Sequence, residues 1–136
     1  MIIDHIGIIV RDLESAVELW EKIFGVKAVK IQEMPEVGLR IAHIEARNLS
    51  VELIQYATDD ESFGRRVMGS SPGLNHISIL VDNVDEAVRR CKQSGARVQD
   101  GFPREGSKGR IAFFEPETTG GVLLEVCENK NAAGQD

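Results

Sequence analysis

Two histidines, His5 and His76, stand 71 positions apart in nearly the same phrase, DHIGIIVRDLESAV from Asp4 and NHISILVDNVDEAV from Asn75. Each is followed by a glutamate inside an apolar stretch, Glu52 in SVELIQ and Glu125 in GVLLEVCE. Two imidazoles and two carboxylates make an N/O donor set without thiolate. Such a set suits one divalent ion per chain, Co, Ni, Mn, Zn or Fe(II), and does not choose among them. Four protein ligands would leave about two positions open in an octahedral site. Two neighbouring oxygens of a substrate could fill both. His5, Glu52, His76 and Glu125 are therefore the candidate metal ligands, provided that the fold brings them together.

The elements needed to do so follow from periodicity. Side chains alternate between the faces of a strand. In HIGIIV, residues Ile6, Ile8 and Val10 share one face, with His5 and Gly7 on the other. HISILV repeats the split: Ile77, Ile79 and Val81 pack, while His76 and Ser78 face away. In VELIQ, Val51 and Leu53 pack and Glu52 faces away. In GVLLEVC, Val122, Leu124 and Val126 pack and Glu125 faces away. After each first strand comes an amphipathic helix. One is RDLESAVELWEKIFG, with Asp12 as N-cap and Gly25 as stop; the other is DNVDEAVRRCKQSG, ending at Gly95. Three strands then follow in each half, at 26–33, 39–46 and 50–56, and at 96–102, 110–115 and 121–127. RIAHIE from Arg40 echoes RIAFFE from Arg110 at an offset of 70.

The pattern is a duplication, so the expected fold is α+β: two βαβββ modules forming a curved mixed sheet around a metal cleft. Module one covers about 1–58 and module two about 73–128. The linker 59–72, DDESFGRRVMGSSP, has room for a short helix, and 129–136 reads as a flexible tail. At 136 residues the chain is a single domain with enough length for a core without disulfides. A net charge of −6 argues against nucleic acid as the partner. No apolar run is long enough for a membrane span. Cys91 and Cys127 show neither metal-knuckle nor redox spacing, which points to reduced thiols and a cytoplasmic protein.

The phrases DHIGIIVRDLESAVELW, VELIQ, GLNHISILVDNVDEAV and FFEPETTGGVLLEVCE resemble the vicinal oxygen chelate (glyoxalase/dioxygenase) superfamily. Within it, they are most similar to the methylmalonyl-CoA epimerases. The likeness runs to about Glu128. It implies that His5, Glu52 (Gln in some members), His76 and Glu125 hold the metal. It also implies epimerisation of an acyl-CoA, the 2R and 2S forms of methylmalonyl-CoA exchanging through an enolate, with Glu125 as one proton-transferring base. Some members carry a second glutamate three residues after the glycine of the middle strand. Here that position is Ile41, so His43 and Glu45, on the same face, are the candidate substitutes. The loop PREGSKGR offers Arg104, Lys108 and Arg110 to the substrate's anionic groups. The resemblance further implies a homodimer. A lactoylglutathione lyase shares the same frame and is the nearest alternative. An extradiol-type dioxygenase and a metal-free binding protein of the same fold are more distant ones.

Overall fold

The computed structural model describes residues 1–27 and 30–129. It divides into two compact units, residues 5–75 in one and residues 1–4 with those from 76 onward in the other. In the first half, strand β1 (Ile2–Ile9) leads into helix α1 (Leu13–Phe24) and then β2 (Lys30–Met34), β3 (Leu39–Glu45) and β4 (Ser50–Tyr56). These strands are ordered β2-β3-β4-β1, with β4 parallel to β1 and the other pairs antiparallel. A short helix, α2 (Phe63–Met68), occupies the linker. The second half repeats the plan with β5 (Gly73–Leu80), α3 (Val84–Gln93), β6 (Arg104–Glu105), β7 (Arg110–Phe113) and β8 (Leu124–Cys127), ordered β5-β8-β7-β6. Here β8 is parallel to β5. Each half is thus a βαβββ module with a mixed sheet.

The duplication extends to the helix caps. Asp12 accepts from the Ser15 amide at 2.8 Å and Asn83 from the Glu86 amide at 2.9 Å. A second cap comes from the fourth strand or the residue just after it: Gln55 Oε1 of β4 accepts from Leu13 N, and Glu128 Oε2, next to β8, from Val84 N. Each satisfies an amide that a helix start leaves without a partner. Gly25 ends α1 with φ 66°, a conformation in which a side chain is strained.

Each helix packs on one face of its own sheet. Leu13, Ala42, Ile44 and Leu53 form the core under α1, with Ile8, Val10, Val17, Trp20 and Val51 against it. Val84, Val88, Ala112, Phe114 and Val126 do the same under α3, with Ile79, Val81 and Leu124. The helix-facing positions expected at Ile8, Val10, Val51, Leu53, Ile79 and Val81 are therefore found there. The opposite face of the first sheet carries its own cluster, Met34, Val37, Leu39, Ile41 and Ile54, with Phe63 and Met68 of α2 packed on it. Gly64 makes that approach possible: a Cβ there would lie 2.8 Å from Leu39 Cδ2 and 2.9 Å from the Val37 carbonyl oxygen.

Three strand expectations differ from the structure. No strand forms over 96–102; Val98 makes one isolated bridge to Phe114, and the edge strand is β6 instead. Gly95 and Gly101 flank the segment with φ of 97° and 90°, and Pro103 lacks the N–H a ladder needs. The last strand begins at Leu124 rather than 121, because Gly120 and Gly121 turn through positive φ. Val122, expected in the core, is 46% exposed as a result. The second strand begins at Lys30; positions 28 and 29 of the expected 26–33 lie outside the described residues, as do 130–136 of the expected tail.

Candidate metal and proton-transfer site

On the face of each sheet turned away from its helix, polar side chains are buried where apolar ones would be expected. In the first module His5 and Glu52 are 5% and 3% exposed. His5 Nδ1 lies 3.4 Å from Glu52 Oε2. In the second, His76 and Glu125 are similarly buried, with His76 Nε2 at 3.9 Å from Glu125 Oε1. A buried carboxylate is costly without a compensating cation. These separations exceed a strong hydrogen bond; they hold a nitrogen and an oxygen donor side by side. The donor chemistry suits a divalent ion that accepts imidazole and carboxylate. The four expected ligands thus meet as two pairs, one in each module.

The surroundings of the two carboxylates differ, because the duplicated positions have diverged. Opposite Glu52 in register stand Gly7 on β1 and His43 on β3. His43 Nδ1 lies 3.8 Å from Glu52 Oε2, and its Nε2 is 2.9 Å from Gln32 Oε1. Two imidazoles therefore flank Glu52. Opposite Glu125 stand Ser78 on β5 and Phe113 on β7. The Phe113 ring meets His76 edge-on, centroids 5.0 Å apart, and meets Phe102 edge-on in turn at 5.5 Å. An aromatic ring and a hydroxyl replace the second imidazole.

The remaining candidates separate. Ile41 is 4% exposed within the cluster under α2, so the position where some relatives carry a second glutamate is core here. Glu45 sits at the exposed end of β3 and accepts from Ser50 Oγ at 2.7 Å. Arg104 pairs in register with Ile111, which pairs with Cys127, so Arg104 shares the face of Glu125. Arg110 has the opposite parity and leaves the sheet on the α3 side. Its Nε and Nη2 donate to Asp85 Oδ2 and Oδ1 at 2.9 and 3.0 Å, and this guanidinium holds the Asp85 carboxyl below its ordinary range. Arg110 is not brought to the face of Glu125. Lys108 lies between them in a tight loop closed by the Gly106 amide on the Gly109 carbonyl at 2.7 Å.

One feature has no signal in the sequence. A cleft of about 550 Å³ in the first module is lined by Arg11, Gln55, Tyr56, Asp59, Arg65 and Ser70. Arg65 stacks over the Tyr56 ring at 4.1 Å and donates to Thr58 O, Asp60 O and Ser70 Oγ. Burial pushes the Tyr56 hydroxyl up to about 12. Arg65 is one of two adjacent arginines in a short polar linker, and nothing in its spacing marks it.

Residues 4–114 match the Glyoxalase/Bleomycin resistance protein/Dioxygenase superfamily. The chain belongs to that superfamily. It has the glyoxalase-like, vicinal oxygen chelate fold. It is 32% identical to the uncharacterized protein YqjC of Bacillus subtilis (strain 168), over 94% of this chain and 92% of that one. Among solved structures it resembles a methylmalonyl-CoA epimerase in complex with methylmalonyl-CoA and NH4+. The TM-score is 0.82 and the identity 29%, with 94% of each chain covered. A lactoylglutathione lyase from Escherichia coli O157:H7 is 28% identical over 94% of this chain and 93% of its own length. Among the described residues no helix is long and apolar enough to cross a membrane.

Proposed function

We propose that this protein is a metal-dependent epimerase that interconverts the 2R and 2S forms of methylmalonyl-CoA. The observation that carries the reading is the burial of one His–Glu pair in each module, His5–Glu52 and His76–Glu125, on the face away from the helix. The resemblance to an epimerase over 94% of the chain supplies the substrate class.

In this reading His5, Glu52, His76 and Glu125 together hold one divalent ion. Bound there, it would act as a Lewis acid on the thioester carbonyl oxygen and lower the cost of the charge that proton removal leaves on it. Glu125 takes the α-proton: the C–H bond breaks and the proton moves to a carboxylate oxygen. Phe113 stands opposite Glu125 in the β7–β8 register. His43 is the proposed partner that returns a proton to the opposite face of the carbon, and Gln32 holds its ring in place. Arg104 is the cation suited to the substrate carboxylate or the carrier's phosphates, with Lys108 beside it in sequence. Exposed Leu19, Ile23 and Phe24 on α1 accord with a homodimer.

The test follows one pure epimer of methylmalonyl-CoA in D2O, with metal-free protein and with added Co(II). Metal-dependent inversion with deuterium at the α-carbon is the expected result. Deuterium without inversion would remove His43 from the mechanism. No exchange with metal bound would overturn the epimerase reading, and the hemithioacetal of glutathione would be tried next.

A further inference from the structure

We propose that Ser78 is a positioning residue whose hydroxyl orients the Glu125 carboxylate; this rests on the metal and base roles given to Glu125 above. Ser78 is completely buried, at 0% exposure, yet among the described residues its Oγ has no hydrogen-bond partner. A buried hydroxyl left in that state lowers stability. A valine would suit the same strand position better on strand preference alone. The side chain that bears this cost faces a functional neighbour. Ser78 is two residues from His76 on the same strand face, and it stands directly opposite Glu125 in the parallel β5–β8 register. Adjacent strands are separated by about 4.8 Å. A hydroxyl hydrogen turns freely about its C–O bond, and an ionised carboxylate only accepts.

The duplication makes the placement specific. The equivalent residue in the first module is Gly7, opposite Glu52, with no side chain at all. Glu52 has imidazoles within 3.4 and 3.8 Å. The His76 imidazole lies 3.9 Å from Glu125, and Phe113 stands across the other edge. The hydroxyl thus stands opposite the carboxylate that, in the proposed reading, holds a metal and accepts a proton with separate oxygens. A hydrogen bond from Ser78 Oγ to that carboxylate would fix its orientation, as outer partners do for metal ligands.

The experiment compares the parent chain with Ser78→Ala and Ser78→Cys. Melting temperature, Co(II) affinity by titration calorimetry and the Co(II) visible spectrum are measured, and then kcat and KM. Both variants should melt no lower than the parent, because an unpartnered hydroxyl is removed. Both should bind Co(II) about tenfold more weakly with a changed spectrum, and lose kcat with KM within twofold. If affinity, spectrum and kcat all stay within twofold of the parent, the inference is overturned. A lower melting temperature in both variants also overturns it, since the hydroxyl would then serve packing. If the parent itself binds no Co(II), the metal reading fails and takes this inference with it.

Discussion

At the scale of single residues, the two glutamates occupy equivalent places in unlike surroundings. Glu52 lies between His5 and His43, and the proposed reading makes it a ligand. Glu125 stands opposite Phe113, and the same reading makes it a base as well. Gln keeps a carbonyl oxygen for a metal but cannot take a proton. Glu52→Gln should therefore keep turnover within about tenfold and weaken metal binding, since one charge is lost. Glu125→Gln should lower kcat by about a hundredfold or more, the usual contribution of a positioned base. Steady-state kinetics with saturating Co(II) separate the two. Equal losses would mean that both act only as ligands. His43→Ala should suppress inversion while leaving deuterium exchange from one epimer; unchanged turnover in both directions would leave His43 a packed imidazole on Gln32.

At the scale of elements, strand parity puts Arg104 and Arg110 on opposite faces. Arg104 shares a face with Cys127 and Glu125, whereas Arg110 is bound to Asp85 beneath α3. Arg104→Ala should raise KM for the acyl-CoA severalfold, and Arg110→Ala should leave KM unchanged with a small loss of stability, as for exposed ion pairs. The reverse ranking would mean that the loop rearranges around substrate. Close packing of α2 gives a second test. Gly64→Ala would drive a Cβ into Leu39 and the Val37 carbonyl, and should cost about 1–3 kcal/mol in urea denaturation. The sequence made β1, α1, β3 and β4 of module one legible, because β-branched runs, Asp12 and Gly25 carry local signals. It also made the His–Glu faces legible, since period-2 alternation needs no tertiary information. It did not reveal that Val98 only bridges while Arg104 and Glu105 form the edge strand: their pairing depends on β7 across the sheet. Nor could it show Arg110 turned toward Asp85, because its parity depends on where β7 begins. Ile41 read as a missing base; its packing under α2 came from a linker whose helix has only six residues.

At the scale of the whole molecule, the duplication leaves a question that counting metal ions answers. Each module buries its own His–Glu pair, so two independent weak sites, one per module, are a real alternative to one shared site. A pair of ligands on a divalent ion seldom competes with solvent, whereas four N/O donors form a strong site. A single site should bind one Co(II) per chain. It should also raise the melting temperature with metal concentration, because an ion bound only by the folded chain stabilises it by about 2.7 kcal/mol at a hundredfold excess over Kd. The decisive comparison is His5→Ala against His76→Ala. With one shared site, either change removes a ligand from the same ion. Both variants should then lose tight binding altogether and lose the metal-dependent rise in melting temperature. With two separate sites, each variant would keep one ion of unchanged affinity, and only the double change would abolish binding. That second outcome would make the two halves duplicates in structure alone, and the proton-transfer chemistry would have to be assigned to one module.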